Sequence, residues 1–162
     1  MATDMALNQG LWTELRQIFE QDIPNTAELL DLLKRERSAL EKRDYNDFQQ
    51  IISSKHTLLQ ILESHAKSRQ QLLLAAGFDD EPSTLAAAEK QAPWVAKAWR
   101  SLGEQWKACQ ELNEINERIA RRTRLVVGQI LELLRGTSGE AKVYDNKGGT
   151  KSTGGGHTIT SA

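Results

Sequence analysis

Apolar residues recur every three or four positions along most of this chain, the period of an α-helix that buries one side. Over residues 6–42, Leu7, Leu11, Leu15, Ile18, Leu29, Leu30, Leu33 and Leu40 keep that spacing and predict a first helix. Pro24 should kink or split it, because proline removes a backbone donor and crowds the preceding turn. Arg43 and Asp44 then make a short break, and Asp44 can cap the next helix through the backbone amide of Asp47. In that second helix Phe48, Ile52, Lys55, Leu59, Leu62, Ala66, Arg69, Leu73 and Ala76 alternate steps of four and three. This heptad seam stops at Gly77, a natural left-handed cap.

Residues 79–93, DDEPSTLAAAEKQAP, read as a connection with one short helical piece after Ser83. A third helix follows over residues 93–135, with a seam through Val95, Trp99, Leu102, Trp106, Cys109, Asn113, Asn116, Ala120, Thr123, Val127, Ile130 and Leu134. Three long helices with regular seams and short links predict an all-α fold, an antiparallel up-down-up bundle with a short connecting helix. Phe48, Leu59, Leu62, Trp99, Leu102 and Trp106 should lie in its core. Beyond Leu134 the pattern ends. Residues 136–162 hold seven of the eleven glycines, and Val143, Tyr144 and Ile159 are their only large apolar residues. Such a segment cannot build a core, so the chain divides into a helical domain, 1–135, and a flexible Gly-rich tail, 136–162.

The last helix carries more apolar surface than one neighbour needs. Leu125, Val126, Val127, Ile130, Leu131, Leu133 and Leu134 spread over roughly 240° of its circumference, against a stripe on the order of 100° for one packed face. After Cys109 a second stripe runs through Leu112, Ile115, Ile119, Val126 and Leu133, with Ile130 beside it. Either the N-terminal helix covers this stripe or it is a surface for a partner helix, and the first stripe already suffices for the bundle.

Charge narrows the function only by exclusion. The chain has 162 residues, 21 basic and 22 acidic, a net charge of −1, so it has neither a global basic field for nucleic acid nor an acidic block. The N-terminal MATDMALNQG lacks the basic and apolar regions of a secretory signal, and no apolar run approaches the ~18 residues of a membrane span. A cytoplasmic protein without membrane insertion is expected.

Candidate chemistry is sparse. A single cysteine, Cys109, excludes an internal disulfide, and its seam position between Trp106 and Asn113 suits an inert buried thiol better than a nucleophile. His56 and His65 fall on different faces of one helix, His157 lies in the tail, and no Glu-x-x-His repeat occurs, so no metal or other cofactor is expected. Arg118, Arg121, Arg122 and Arg124 form a basic cluster, but Glu114 and Glu117 stand one turn earlier and no aromatic residues interleave to stack bases. Asn113 and Asn116 are polar residues at seam positions, where they fix register or face something polar. Trp94, Trp99 and Trp106 should anchor the end of the bundle. Nothing here makes an enzyme.

Taken together, LLDLLKRERSAL in the first helix, KHTLLQILESHAKSRQQLL in the second, LNEINERIARRTRLVVGQILELL in the third and VYDNKGG in the tail resemble the FlgN flagellar export chaperones. The most specific elements are Leu112, Asn113 and Asn116 in the last helix and Tyr144 with Gly148 in the tail; Glu117 and Arg118 stand where family members commonly carry glycine. The resemblance implies a chaperone for the hook-associated proteins FlgK and FlgL, gripping their amphipathic C-terminal segments, keeping them unpolymerised, and escorting them to the type III export gate or ATPase complex. On that reading Leu112, Ile115, Ile119, Val126, Ile130 and Leu133 bind the substrate protein, and Tyr144 and Gly148 dock on the export gate. A coiled-coil adaptor or homodimer unrelated to export would satisfy the same helical pattern, and an RNA-binding module would rest on the arginine cluster alone.

Overall fold

In the computed structural model the backbone is described for residues 2–139 and the side chains for residues 9–135. Among these the chain is all-helical: α1 spans Ala2–Lys42, α2 Tyr45–Ala75, α3 Glu81–Gln91 and α4 Pro93–Gly139. The described residues fall into two units, divided between Ala120 and Arg121.

The first unit is an up-down-up bundle, as the contacts of α1 show. Moving up α1, Phe19 meets Trp99 with ring centroids 5.7 Å apart, the Thr26 carbonyl accepts from Cys109 Sγ at 3.9 Å, and the Leu33 carbonyl accepts from Asn116 Nδ2 at 2.9 Å. The partners on α4 rise in number with those on α1, so the two helices are parallel. On α2 the order reverses, with Asp22 bound by Arg69 and Glu36 by Lys55.

Local chemistry ends the helices where expected. After α1, Arg43 adopts φ 58°, and the amides of Arg43 and Asp44 donate to the carbonyls of Leu40 and Ala39. Gly77, at φ 82°, repeats this arrangement after α2, with its amide and that of Phe78 donating to Leu74 and Leu73. Both ends are Schellman motifs, in which a left-handed residue lets the chain satisfy its last carbonyls. Asp44 Oδ1 accepts from the Asp47 amide at 3.1 Å and starts α2 as anticipated; Asp80 does the same for α3 through the Ser83 amide at 2.7 Å. Hydrogen bonding from Ser83 holds the Asp80 carboxyl below the usual carboxylate range.

Pro24 does not split the first helix: α1 is unbroken across it. The lost backbone bond is local, whereas the helix on either side is held by burial of Phe19, Asp22, Thr26 and Leu29. The core is in two parts. One gathers Leu11, Trp12, Leu15 and Phe19 of α1 with Ala88 of α3 and Val95, Ala96 and Ala98 of α4. The other gathers Leu29, Leu32, Leu33 and Ala39 of α1 with Ile51, Leu58 and Leu62 of α2 and Cys109 of α4. Full burial of each large aliphatic side chain here contributes about 1.5 to 3 kcal/mol.

The heptad seam expected on α2 is corrected by the packing. Ile51, Leu58 and Leu62 are buried, whereas Ile52, Leu59 and Ala66 are exposed. Of the six residues expected in the core, Leu62 is buried, Phe48, Trp99 and Leu102 are half-buried, and Leu59 and Trp106 remain 36% and 39% exposed. The helix turns one apolar line toward α1 and leaves its neighbour facing an opening beside α4.

Candidate functional site: an apolar trench and an exposed apolar face

That opening is lined by core residues at its base and by apolar residues left partly exposed at its sides. Leu59, Leu62 and Ala66 of α2 and Trp99, Leu102, Gly103 and Trp106 of α4 form its walls, and Phe19, Asp22 and Thr26 of α1 its floor, around a cavity of about 550 Å³. A second cavity of about 120 Å³ adjoins it past Leu59 and Trp106 and reaches Lys55, Cys109 and Asn113. A third, of about 230 Å³, adjoins it past Ala66, Arg69 and Trp99 and reaches Leu74, Phe78 and Glu81. The three make one trench within the first unit. Along α2 its lining runs from Lys55 to Leu74, about 28 Å at 1.5 Å per residue.

Polar side chains brace the trench. Asp22, almost wholly buried, accepts from His65 Nδ1 at 2.6 Å and from Arg69, whose guanidinium also lies 5.5 Å from the centre of the Phe19 ring. Farther along, Glu36 is bound by Lys55 Nζ at 2.9 and 3.0 Å and by Asn116 Nδ2 at 3.0 Å, and Lys55 reaches Asn113 Oδ1 at 3.4 Å. The two seam asparagines therefore do face something polar, Asn116 the Glu36 carboxylate and Asn113 the Lys55 ammonium that binds that carboxylate. On the rim, Lys67 holds the Glu63 carboxyl below its usual range by hydrogen bonding and by its charge.

The tryptophans divide by role. Trp12 is buried and donates to Gln91 Oε1 at 3.0 Å; Trp99 donates to Glu81 Oε1 at 3.2 Å; Trp94 is stacked under Arg16 at 5.0 Å. Trp106 instead offers a face to the trench. Cys109 is buried, and burial pushes its thiol up against a partial opposing effect of Lys34, so little of the nucleophilic thiolate forms. Among the described residues no group of three His, Cys, Asp or Glu side chains could hold a metal ion. No described helix is long and apolar enough to cross a membrane.

The residues expected to bind a partner fall into two groups. Leu112 packs half-buried against the second core cluster, and Ile115 and Ile119 are also half-buried, all in the first unit. Val126, Ile130 and Leu133 belong to the second unit, where they are 48%, 51% and 70% exposed, alongside exposed Leu125, Val127, Leu131 and Leu134. Arg118, Arg121, Arg122 and Arg124 are exposed on the same helix. Tyr144 and Gly148 lie outside the described residues. Periodicity assigns the trench walls to the core, and the only marks of the trench in the sequence are Thr26 amid an apolar stripe and Gly103 inside a helix.

The profile of the FlgN protein family matches residues 5–152. The chain belongs to the FlgN family. Family membership makes it a protein of flagellar chaperone type. Its fold is similar to the crystal structure, at 1.48 Å resolution, of a candidate flagella synthesis protein FlgN from Pseudomonas aeruginosa, with 32% identity and a TM-score of 0.62 over 75% of this chain and 96% of that one. Comparison with curated proteins finds no match. An apolar trench and an exposed apolar helix face are both surfaces of the kind that protein segments dock on.

Proposed function

We propose that this FlgN-family protein is a cytoplasmic export chaperone that binds the amphipathic C-terminal segments of the hook-associated proteins FlgK and FlgL, prevents their premature assembly, and delivers them to the type III export apparatus. The observation that carries this reading is the exposed run from Leu125 to Leu134 in the second unit, an apolar helix face of the kind that helix-in-groove partners use. Segments that later coat one another in a filament junction expose apolar faces before assembly, and an unpaired face of that kind self-associates. Capture of the segment by Ile115, Ile119, Val126, Ile130 and Leu133, with Leu112 at the bundle end of the stripe, removes both faces from water.

The test uses exposed members of the stripe, so that the fold is left alone. Val126→Asp combined with Ile130→Asp should remove about 2 to 3 kcal/mol of binding, a loss of roughly 30- to 150-fold in affinity for the hook-associated C-terminal segments. Helical content and thermal midpoint should hardly change. Unaltered capture by a well-folded double variant would rule out this face as the binding surface.

A further inference from the structure

The trench in the first unit has three features that the chaperone reading does not need. Thr26 is wholly buried, lines the trench floor, and its Oγ1 has no hydrogen-bond partner. A buried hydroxyl without a partner is disfavoured, and native proteins retain few of them without a reason. Gly103 stands in the interior of α4 at the trench wall, where helix propensity opposes glycine, yet a Cβ there would meet nothing within 4 Å. Packing inside the protein thus gives no reason for its lack of a side chain. Leu59 and Trp106 are large apolar residues left partly in water on either wall, and Ala66 opposite Gly103 is small.

We propose that the trench is the seat of a fourth helix, supplied by the chaperone's client. It would be an amphipathic helix of about five turns whose apolar face carries one uncharged hydrogen-bonding side chain, Asn, Gln, Ser or Thr, set against Thr26. The trench length of about 28 Å fixes the number of turns. The missing partner of Thr26 fixes the hydrogen-bonding residue. The charge follows because the ionised groups at the floor, Asp22 with His65 and Arg69, already satisfy one another, so a charged incoming group would find no free counter-charge there. Ala66 and Gly103 let the helix backbone approach closely, and Leu59 and Trp106 close on its sides. The chain's own residues 136–162 do not fit, since Val143, Tyr144 and Ile159 are too few to line five turns.

The identity of the client rests on the export-chaperone reading, whereas the seat itself rests on the trench. Three variants of the full chain separate the two. Gly103→Phe fills the seat; it should weaken binding of the hook-associated C-terminal segment at least tenfold, and Gly103→Ala, which adds only a methyl group at the point of close approach, should weaken it by a smaller factor. Thr26→Val keeps the shape and removes the hydroxyl; the free protein should become more stable to heat, yet client affinity should fall about tenfold, because the client's polar side chain is left unpaired on burial. A purely structural threonine would not produce that opposition. The double substitution at Val126 and Ile130 reports on the exposed face alone. If Gly103→Phe folds and binds the client normally, or if Thr26→Val leaves affinity unchanged, the seat is wrong even when the exposed face is confirmed. If Gly103→Phe instead changes the sedimentation mass of the free protein, the occupant is a second copy and the client assignment is overturned.

Discussion

At the scale of single residues, the Leu-Asn-x-x-Asn element illustrates how a motif can be recognised before its work is known. Its spacing showed that Asn113 and Asn116 would sit on a seam; it could not show what they would meet. Asn116 turns out to clasp α1, donating to the Leu33 carbonyl and to Glu36, while Asn113 receives Lys55 from α2. Glu36 was invisible as the centre of this cluster, since an acidic residue amid KRERSAL reads as part of a solvated face. Only 6% of its side chain is exposed, with 14% for Lys55. The value of such a buried pair lies in what its breakage leaves behind. Lys55→Met should cost about 3 to 5 kcal/mol in urea denaturation because Glu36 then lies buried with Asn116 as its one remaining donor side chain. Replacing Glu36 with Leu in the same chain should recover most of that loss. A single-variant cost below about 1 kcal/mol would mean that water reaches Glu36 and that the clasp sets register without setting stability.

Among the elements, the helix ends were the most legible and the helix faces the least. Asp44 and Gly77 announced a cap and a stop by chemistry that depends on one residue each, and both stand where expected. Facing is harder because Ile51 and Ile52, and again Leu58 and Leu59, are consecutive apolar pairs that define two lines about 100° apart on one helix. Both lines are regular. Which one turns toward α1 depends on how α1 and α4 are spaced, a fact absent from the periodicity of α2. The end of α1 was read as a break without its mechanism: Arg43 takes the left-handed conformation that Gly77 takes at the end of α2. For a residue with a Cβ that conformation costs about 1 kcal/mol or more. Arg43→Gly should therefore raise stability by roughly 0.5 to 1 kcal/mol and Gly77→Ala lower it by a similar amount, both measurable by thermal unfolding. If Arg43→Gly is destabilising by that amount, the arginine side chain contributes more at this corner than its backbone strain removes.

For the whole molecule, cargo capture and handover need separable surfaces, since a chaperone that used one surface for both would lose its client on reaching the export apparatus or never reach it loaded. The trench and the face from Leu125 to Leu134 lie within the helical part of the chain. The proposed gate contact, Tyr144 with Gly148, falls in the Gly-rich stretch outside the described residues. Tyrosine suits such a contact, because its ring buries apolar area and its hydroxyl makes a directed hydrogen bond. Tyr144→Ala should then leave affinity for hook-associated segments within twofold of the parent, weaken binding to the cytoplasmic domain of the export gate at least tenfold, and reduce secretion of the client in proportion. The two bindings respond to different substitutions only if the surfaces are separate. An equal fall in client and gate binding would show that residues near Tyr144 belong to the cargo site, and unaltered gate binding would remove Tyr144 from the handover altogether.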